Sequence, residues 1–122
     1  MLQPLALVFY ERLMPGSQLV NRLQDLHYRV LVTADPTGLP TIALREKPLL
    51  LVADLARGPV VCAAIEQIKA EPATAHLPTI AFAPDNAPAL IKEAQKITGI
   101  IGVTDTGLLN HLEQLLEQVL QV

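Results

Sequence analysis

The stretch KPLLLVADLARGP, residues 47–59, decides the fold. Its centre, Leu49 to Ala53, is an uninterrupted apolar run that is too short to cross a membrane and is typical of a strand buried on both faces of a parallel sheet. The run ends on an acid, Asp54. Ligands of open α/β sheets bind beyond the carboxyl ends of the strands, so Asp54 is the first candidate site residue.

The size and composition of the chain suit one α/β domain. Its 122 residues are enough for a single core, and we expect one domain over residues 1–122. The apolar fraction is 51% and the aromatic fraction 3%, which indicates a core of Leu, Val, Ile and Ala. Such a core usually fills the space between helices and a parallel sheet.

Charge and cysteine content limit the partners and the compartment. Nine basic and twelve acidic residues give a net charge of -3, which does not favour nucleic-acid binding. A lone cysteine, Cys62, excludes an intramolecular disulfide and fits a reducing compartment. The first apolar run has no basic stretch before it and is broken by Glu11 and Arg12, so we expect neither signal peptide nor membrane anchor and a cytoplasmic protein.

Short apolar runs alternate with amphipathic segments along the chain. Five runs are predicted to be strands: Leu5–Tyr10, Val30–Ala34, Leu49–Ala53, Thr79–Ala83 and Ile100–Val103. Five helices are predicted to follow them. Their starts are marked by a cap at Ser17, a turn at Asp35–Gly38 before a helix near Pro40, Gly58–Pro59, a cap at Asn86, and Asp105 or Thr106 as the cap of a last helix from about Gly107. In the third helix the predicted inward set is Val60, Val61, Ala64, Ile65 and Ile68. Strict alternation predicts one parallel sheet with right-handed crossovers and helices on both faces.

Two phrases carry a resemblance to a known family. PLLLVADL, residues 48–55, and IKAEPATAHLPTI, residues 68–80, are similar to the phosphoacceptor strand and to the link between the third helix and fourth strand of the receiver domain of bacterial two-component response regulators. The resemblance covers essentially the whole chain. It implies a flavodoxin-like, doubly wound five-stranded parallel sheet of order 2-1-3-4-5, with Asp54 next to the end of strand one.

The chain departs from that family at the positions that the chemistry requires. The family holds magnesium with an acidic pair at the end of strand one, where this chain has Phe9 and Tyr10. The hydroxyl residue at the end of strand four is replaced by Ala83, and the lysine after strand five is missing around Thr104 and Asp105. The resemblance therefore indicates a degenerate member, a pseudo-receiver. We expect Phe9 or Tyr10 to fill the space beside Asp54 and to make it apolar and closed.

Asp54 itself has two interpretations. It either accepts hydrogen bonds from backbone amides of the loop after strand three, or it has a role in recognition. Phosphorylation of Asp54 is not expected, because phosphoryl transfer depends on positioned charge and the neighbouring carboxylate Glu11 is a single loop residue. Asp54 has a counter-cation only if the side chain of Arg57 turns back toward it.

Other candidate chemistry is weak. His27, His76 and His111 are far apart in the sequence and lack zinc-site spacing. Cys62 has no adjacent histidine or basic partner, so buried filler is its favoured role. Nucleophile-elbow and phosphate-loop motifs are absent. We therefore expect no metal, no cofactor and no enzymatic activity.

The last predicted helix carries two apolar rows. The first row is enough to cover the sheet: Leu108, Leu112, Leu115, Val119 and Val122. The second row is Leu109, Leu116 and Leu120. Either both rows pack on the monomer, or the second row forms an interface. The resemblance implies the face of the fourth helix, fifth strand and fifth helix as a surface for a protein partner or a homodimer.

Two functions from different classes follow. The favoured one is a receiver-like signalling module without phosphorylation machinery that acts through protein–protein contacts. The alternative is a phosphoacceptor receiver that uses Asp54 with an irregular metal site.

Overall fold

A computed structural model of the protein describes residues 4–56 and 58–120, and within these ranges five strands form one parallel sheet in the order β2-β1-β3-β4-β5. The strands are β1 Leu5–Phe9, β2 Arg29–Thr33, β3 Leu50–Asp54, β4 Thr79–Ala83 and β5 Ile100–Thr104. The helices are α1 Leu13–Asp25, α2 Leu39–Glu46, α3 Pro59–Ala70, α4 Pro88–Gln95, α5 Asp105–Asn110 and α6 Leu112–Leu120, with a 3₁₀ turn at Pro36–Gly38. The flavodoxin-like sheet order and the helices on both faces are confirmed.

Alternate residues of the central strands divide the core into two layers. Leu7 and Leu51 face the layer that contains α2, α3 and α4. Val8 and Val52 face the layer that contains α1, α5 and α6. Every residue of β3 and of β4 is buried, as the apolar runs predict for strands covered on both faces.

The strand register sets the geometry of the functional edge. Phe9 of β1 lies opposite Ala53, and Asp54 lies opposite Phe82 of β4. The ends of β1, β3, β4 and β5 therefore meet at one edge of the sheet, because parallel strands all point the same way.

Several predicted helix details are wrong. Ser17 lies inside α1, where its hydroxyl contacts Met14 Sδ at 3.4 Å, and Arg12 holds the N-cap position without a side-chain cap. Asn86 does not cap α4, because Ala87 occupies that position. Val60 is 43% exposed, since it lies one residue outside the inward stripe of α3. Leu49, predicted as strand, precedes β3 and is 46% exposed.

The predicted last helix is two helices. His111 leaves helical geometry with φ -125° and separates α5 from α6. The cap of α5 is neither Asp105 nor Thr106, because the Thr104 hydroxyl accepts the hydrogen bond from the Gly107 amide at 3.0 Å. After the break, the core-facing residues of α6 include Leu116 from the second row, which is only 6% exposed.

In the described part of the chain, we find no helix with the length and apolar character that a membrane crossing requires.

Candidate functional site

Asp54 lies at the end of β3 with its side chain fully buried. Its Oδ1 accepts hydrogen bonds from Arg12 Nη2 and from the Ala56 amide, both at 2.9 Å. Its Oδ2 accepts from Arg12 Nε at 3.2 Å and from the Glu11 amide at 3.4 Å. The predicted bond from the loop after strand three is present at Ala56. Both carboxylate oxygens are thus occupied by partners from this chain.

Arg12 connects Asp54 to a second carboxylate. Its Nη1 donates to Asp105 Oδ2 at 2.6 Å, and its Nη2 donates to Asp105 Oδ1 at 3.0 Å. The guanidinium lies over the Phe82 ring, 5.9 Å from the centroid, a distance at which a cation is attracted to the ring face. Three strands are therefore linked at their carboxyl ends through one side chain.

The charge of Arg12 is fixed by these contacts. The hydrogen bond to Asp105 raises the pKa of Arg12, partial burial opposes that rise, and the hydrogen bond and charge of Asp54 add to it. The side chain is 28% exposed, so the pair with Asp54 is largely removed from solvent. A permanent cation therefore stands beside the buried carboxylate.

Local packing explains how Arg12 reaches this place. Tyr10 follows the end of β1, and its ring lies directly on Gly16, where a Cβ would overlap the ring. The next turn starts at Arg12, whose backbone is extended with φ -89° and ψ 122°. This close approach to Gly16 brings the start of α1 over the end of β3, and the guanidinium spans the remaining distance.

The prediction that an aromatic ring makes the space beside Asp54 apolar is wrong. Phe9 is fully buried in the layer under α2 and α3, on the face of the sheet away from α1. Tyr10 packs against the opposite layer. The space beside Asp54 is instead filled by the charged head of Arg12. Arg57, the counter-cation that the sequence offered for Asp54, lies outside the described residues.

The other predicted site residues lie at the same edge in different roles. Ala83 is fully buried and brings no hydroxyl. Thr104 caps α5, and Asp105 binds Arg12.

A second set of hydrogen bonds, between Asp85 and Thr106, lies on the exposed side of the same edge. The exposed Asp85 carboxylate accepts a bond from the Thr106 amide at 3.1 Å and a further bond from the Thr106 hydroxyl. The bond from the Thr106 hydroxyl, and then that from its amide, lower the pKa of Asp85. The loop after β4 is thereby tied to the start of α5.

The donors at this edge do not fit a magnesium ion. The resemblance implies two carboxylates at the end of β1, where Phe9 and Tyr10 stand. Among residues 4–56 and 58–120, no group of three or more His, Cys, Asp or Glu side chains is placed to hold a metal. Asp54 and Asp105 both bind Arg12, whose positive charge repels a divalent cation.

The remaining candidates lie elsewhere on the molecule. His27, His76 and His111 are exposed and in separate loops or helix ends. Cys62 is half-buried on α3. Leu109 and Leu120 are half-buried, whereas Leu116 belongs to the core layer under α6. Leu116 and Leu109 of the second row pack on this core layer, which agrees for these two residues with the alternative in which the row is buried on the monomer.

Sequence reasoning missed Arg12. The signal was an exchange of charges. The resemblance places acids after strand one and a lysine after strand five, whereas this chain has Arg12 after β1 and Asp105 after β5. The signs of the charges at these two positions are exchanged relative to the family, and this exchange predicts that Arg12 and Asp105 contact each other.

Comparison with known proteins agrees with this fold. No family model matches the chain, and no curated protein matches it. Among solved structures, the receiver domain of a sensor histidine kinase from Pseudomonas aeruginosa PAO1 superposes with a TM-score of 0.82 at 21% identity, over 99% of this chain and 100% of that one. A response regulator from Desulfuromonas acetoxidans gives a TM-score of 0.76 at 17% identity, over 98% of each chain. A chemotaxis response regulator of Vibrio cholerae gives a TM-score of 0.73 at 17% identity, over 93% of this chain and 99% of that one. The protein has the receiver-domain fold.

Proposed function

We propose that the protein is a receiver-like signalling module without phosphorylation machinery, not an enzyme, which acts through contacts with other proteins. The observation that carries the proposal is Arg12, which binds both oxygens of Asp54 and both oxygens of Asp105. A phosphoacceptor needs one free carboxylate oxygen as nucleophile. Here the nucleophile is buried and held in an ion pair.

The charges around Asp54 also oppose phosphoryl transfer. The transferred group carries negative charge that a metal and a positioned cation must stabilise. The Pseudomonas receiver domain is described with magnesium coordinated in its active-site cleft. In this chain the corresponding edge offers a guanidinium that is already neutralised, and Asp105 adds negative charge where the resemblance implies a lysine.

The test is a phosphorylation assay read by intact mass. The purified protein, incubated with acetyl phosphate and magnesium, should gain no phosphoryl mass, while an active receiver domain in the same buffer gains it. The alternative, a phosphoacceptor with Glu11 as part of an irregular metal site, requires Arg12 to leave Asp54. A phosphoryl adduct that disappears in Asp54→Asn would replace the proposal with that alternative.

The output of such a module must pass through its surface. We propose that the face of α4, β5 and α5 binds a protein partner or a second copy of the chain. We also propose that the protein is cytoplasmic. Support comes from β5, an edge strand whose five residues are all partly exposed. Leu109 and Leu120 lie towards α1 instead: Arg22 of α1 donates to the Leu109 carbonyl at 3.0 Å, and Leu120 lines a shallow cleft with Tyr28.

A further inference from the structure

An open groove lies between α3 and α4, away from the Asp54 edge. It encloses about 390 Å³, at the lower end of the volumes of ligand-binding clefts. Gly58, Cys62 and Leu90 are among the residues that line it. Gly58 has φ +64°, and a Cβ there would come within 3.4 Å of Leu90 Cδ2. The left-handed backbone at this position favours glycine and turns the chain into α3.

Two carboxylates stand on opposite walls of this groove. Glu66 projects from α3 and Glu93 from α4, and both are exposed. Both act on Cys62 between them: burial first, and then the charges of Glu66 and Glu93, raise the pKa of its thiol. Cys62, Glu66 and Glu93 line the same groove, so the charges of two helices converge on one small space.

The negative charges of Glu66 and Glu93 are only weakly balanced by cations of the same protein. Glu93 accepts a bond from Lys96 at 3.1 Å, but both side chains are more than 60% exposed, and such surface pairs are weak. Glu66 forms no ion pair with any side chain in the described part of the protein. An apolar floor with acidic walls is the complement of an apolar side chain flanked by cations.

We propose that the groove between α3 and α4 binds a segment of a partner protein, which inserts an apolar side chain above Cys62 and sets Lys or Arg against Glu66 and Glu93. The proposal rests on the proposed function, because it names a partner surface for the same module. It adds a surface distinct from the face of α4, β5 and α5.

The chemistry of the groove selects a protein segment over other ligands. Nucleic acids and anionic lipid headgroups bring phosphates, which Glu66 and Glu93 repel. Small molecules usually sit in clefts that cover most of their surface, whereas Pro59 and Ala63 on the rim are exposed. A peptide can fill the floor with one side chain and place its cations on the rim.

The test uses two short fluorescein-labelled peptides with a central Leu-Leu pair. In the basic peptide this pair is flanked by Lys and Arg, and in the acidic peptide it is flanked by Glu. Fluorescence anisotropy at low salt should show saturable binding of the basic peptide, at least about tenfold tighter than that of the acidic one. Amide signals of α3 and α4 should shift in heteronuclear NMR spectra on titration with the basic peptide.

Matched variants locate the binding. Glu66→Lys with Glu93→Lys should weaken the basic peptide by at least about tenfold. Glu113→Lys with Glu117→Lys, which makes the same change in net charge at exposed positions of α6, should leave the affinity within about twofold. Ala63→Trp, at an exposed helix position on the groove, should block the peptide without a change of charge.

Three results would overturn the proposal: no saturable binding, equal binding of the acidic peptide, or equal loss in the α6 control. None of them depends on Asp54, because the assay contains neither phosphodonor nor metal. A protein that gains no phosphoryl mass and ignores the peptide retains the proposed function and loses the groove. If the protein is phosphorylated and also binds the peptide, the groove proposal is retained and the proposed function is lost.

Discussion

The edge around Asp54 and the groove between α3 and α4 both present two carboxylates, and they differ in where the matching cation is found. At the edge, Arg12 of the same chain binds Asp54 and Asp105 within 3.2 Å. In the groove, Glu66 has no cation among the described residues, and Glu93 has only a solvent-exposed lysine. The carboxylates of the edge are paired within the protein, whereas those of the groove are exposed and weakly compensated, and this difference is the basis of the proposed partner site.

The largest expected effect is that of Leu116→Glu, which tests whether the α6 surface, like the Asp54 edge, is closed within the monomer. Leu116 is 6% exposed among core residues. The substitution removes a buried apolar side chain, and the new carboxylate must lose its water of hydration. We expect these two costs to lower the free energy of unfolding by about 4 kcal/mol. Thermal unfolding followed by circular dichroism measures the loss.

Leu120→Glu is the matched control for that measurement. Leu120 is half-buried at the end of α6, so the melting temperature should fall much less. A Leu116→Glu protein that keeps its melting temperature and changes from dimer to monomer by light scattering would show that Leu116 is an interface residue after all.

Removal of Arg12 is the next largest effect and bears on the closed edge directly. In Arg12→Ala the Asp54 carboxylate stays buried without its counter-ion, and the protein should lose about 3 kcal/mol of stability in urea denaturation. Arg45→Ala is the control, because Arg45 is 65% exposed and its pair with Glu46 should contribute less than about 1 kcal/mol.

A double substitution separates the ion pair from general damage. In Arg12→Met with Asp54→Leu, both charges are replaced by apolar groups, and the stability should return to within about 1 kcal/mol of the wild type. A double variant as unstable as Arg12→Ala would mean that packing by Arg12, and not its pairing with Asp54, stabilises the edge.

The smallest effect concerns the outer link between Asp85 and Thr106. Because bonds from Thr106 hold the pKa of Asp85 below its ordinary value of 3.8, the link stabilises the folded protein above that pH. That contribution is lost as the pH falls through the lowered pKa. Carbon-13 NMR titration of the Asp85 carboxyl should give a midpoint below 3.8.

Thr106→Val removes the hydroxyl donor and keeps the amide, so the midpoint should move part of the way back. A wild-type midpoint at or above 3.8 would show that the link does not persist in solution.

The sheet was predictable because its signals are local. The apolar runs of β3 and β4 have no polar face to expose, and the pattern predicts their full burial. The break at His111 was not predictable, since Leu108 to Leu120 keep an apolar period that also suits one continuous helix. Asp54 was found at the end of its strand, but its partner was not. Arg12 reaches it through the packing of Tyr10 on Gly16, a contact that no spacing along the sequence reveals.

We infer that the guanidinium of Arg12 takes the place of a divalent cation beside Asp54. Titration with Mn²⁺, watched by heteronuclear NMR, tests it most directly, because a bound paramagnetic ion broadens signals close to it. The Glu11 and Ala56 amides, which both donate to Asp54, are the reporters. With Arg12 in that place, we expect no selective broadening of these two signals at millimolar Mn²⁺. Selective broadening of both, abolished by Asp54→Asn, would contradict it.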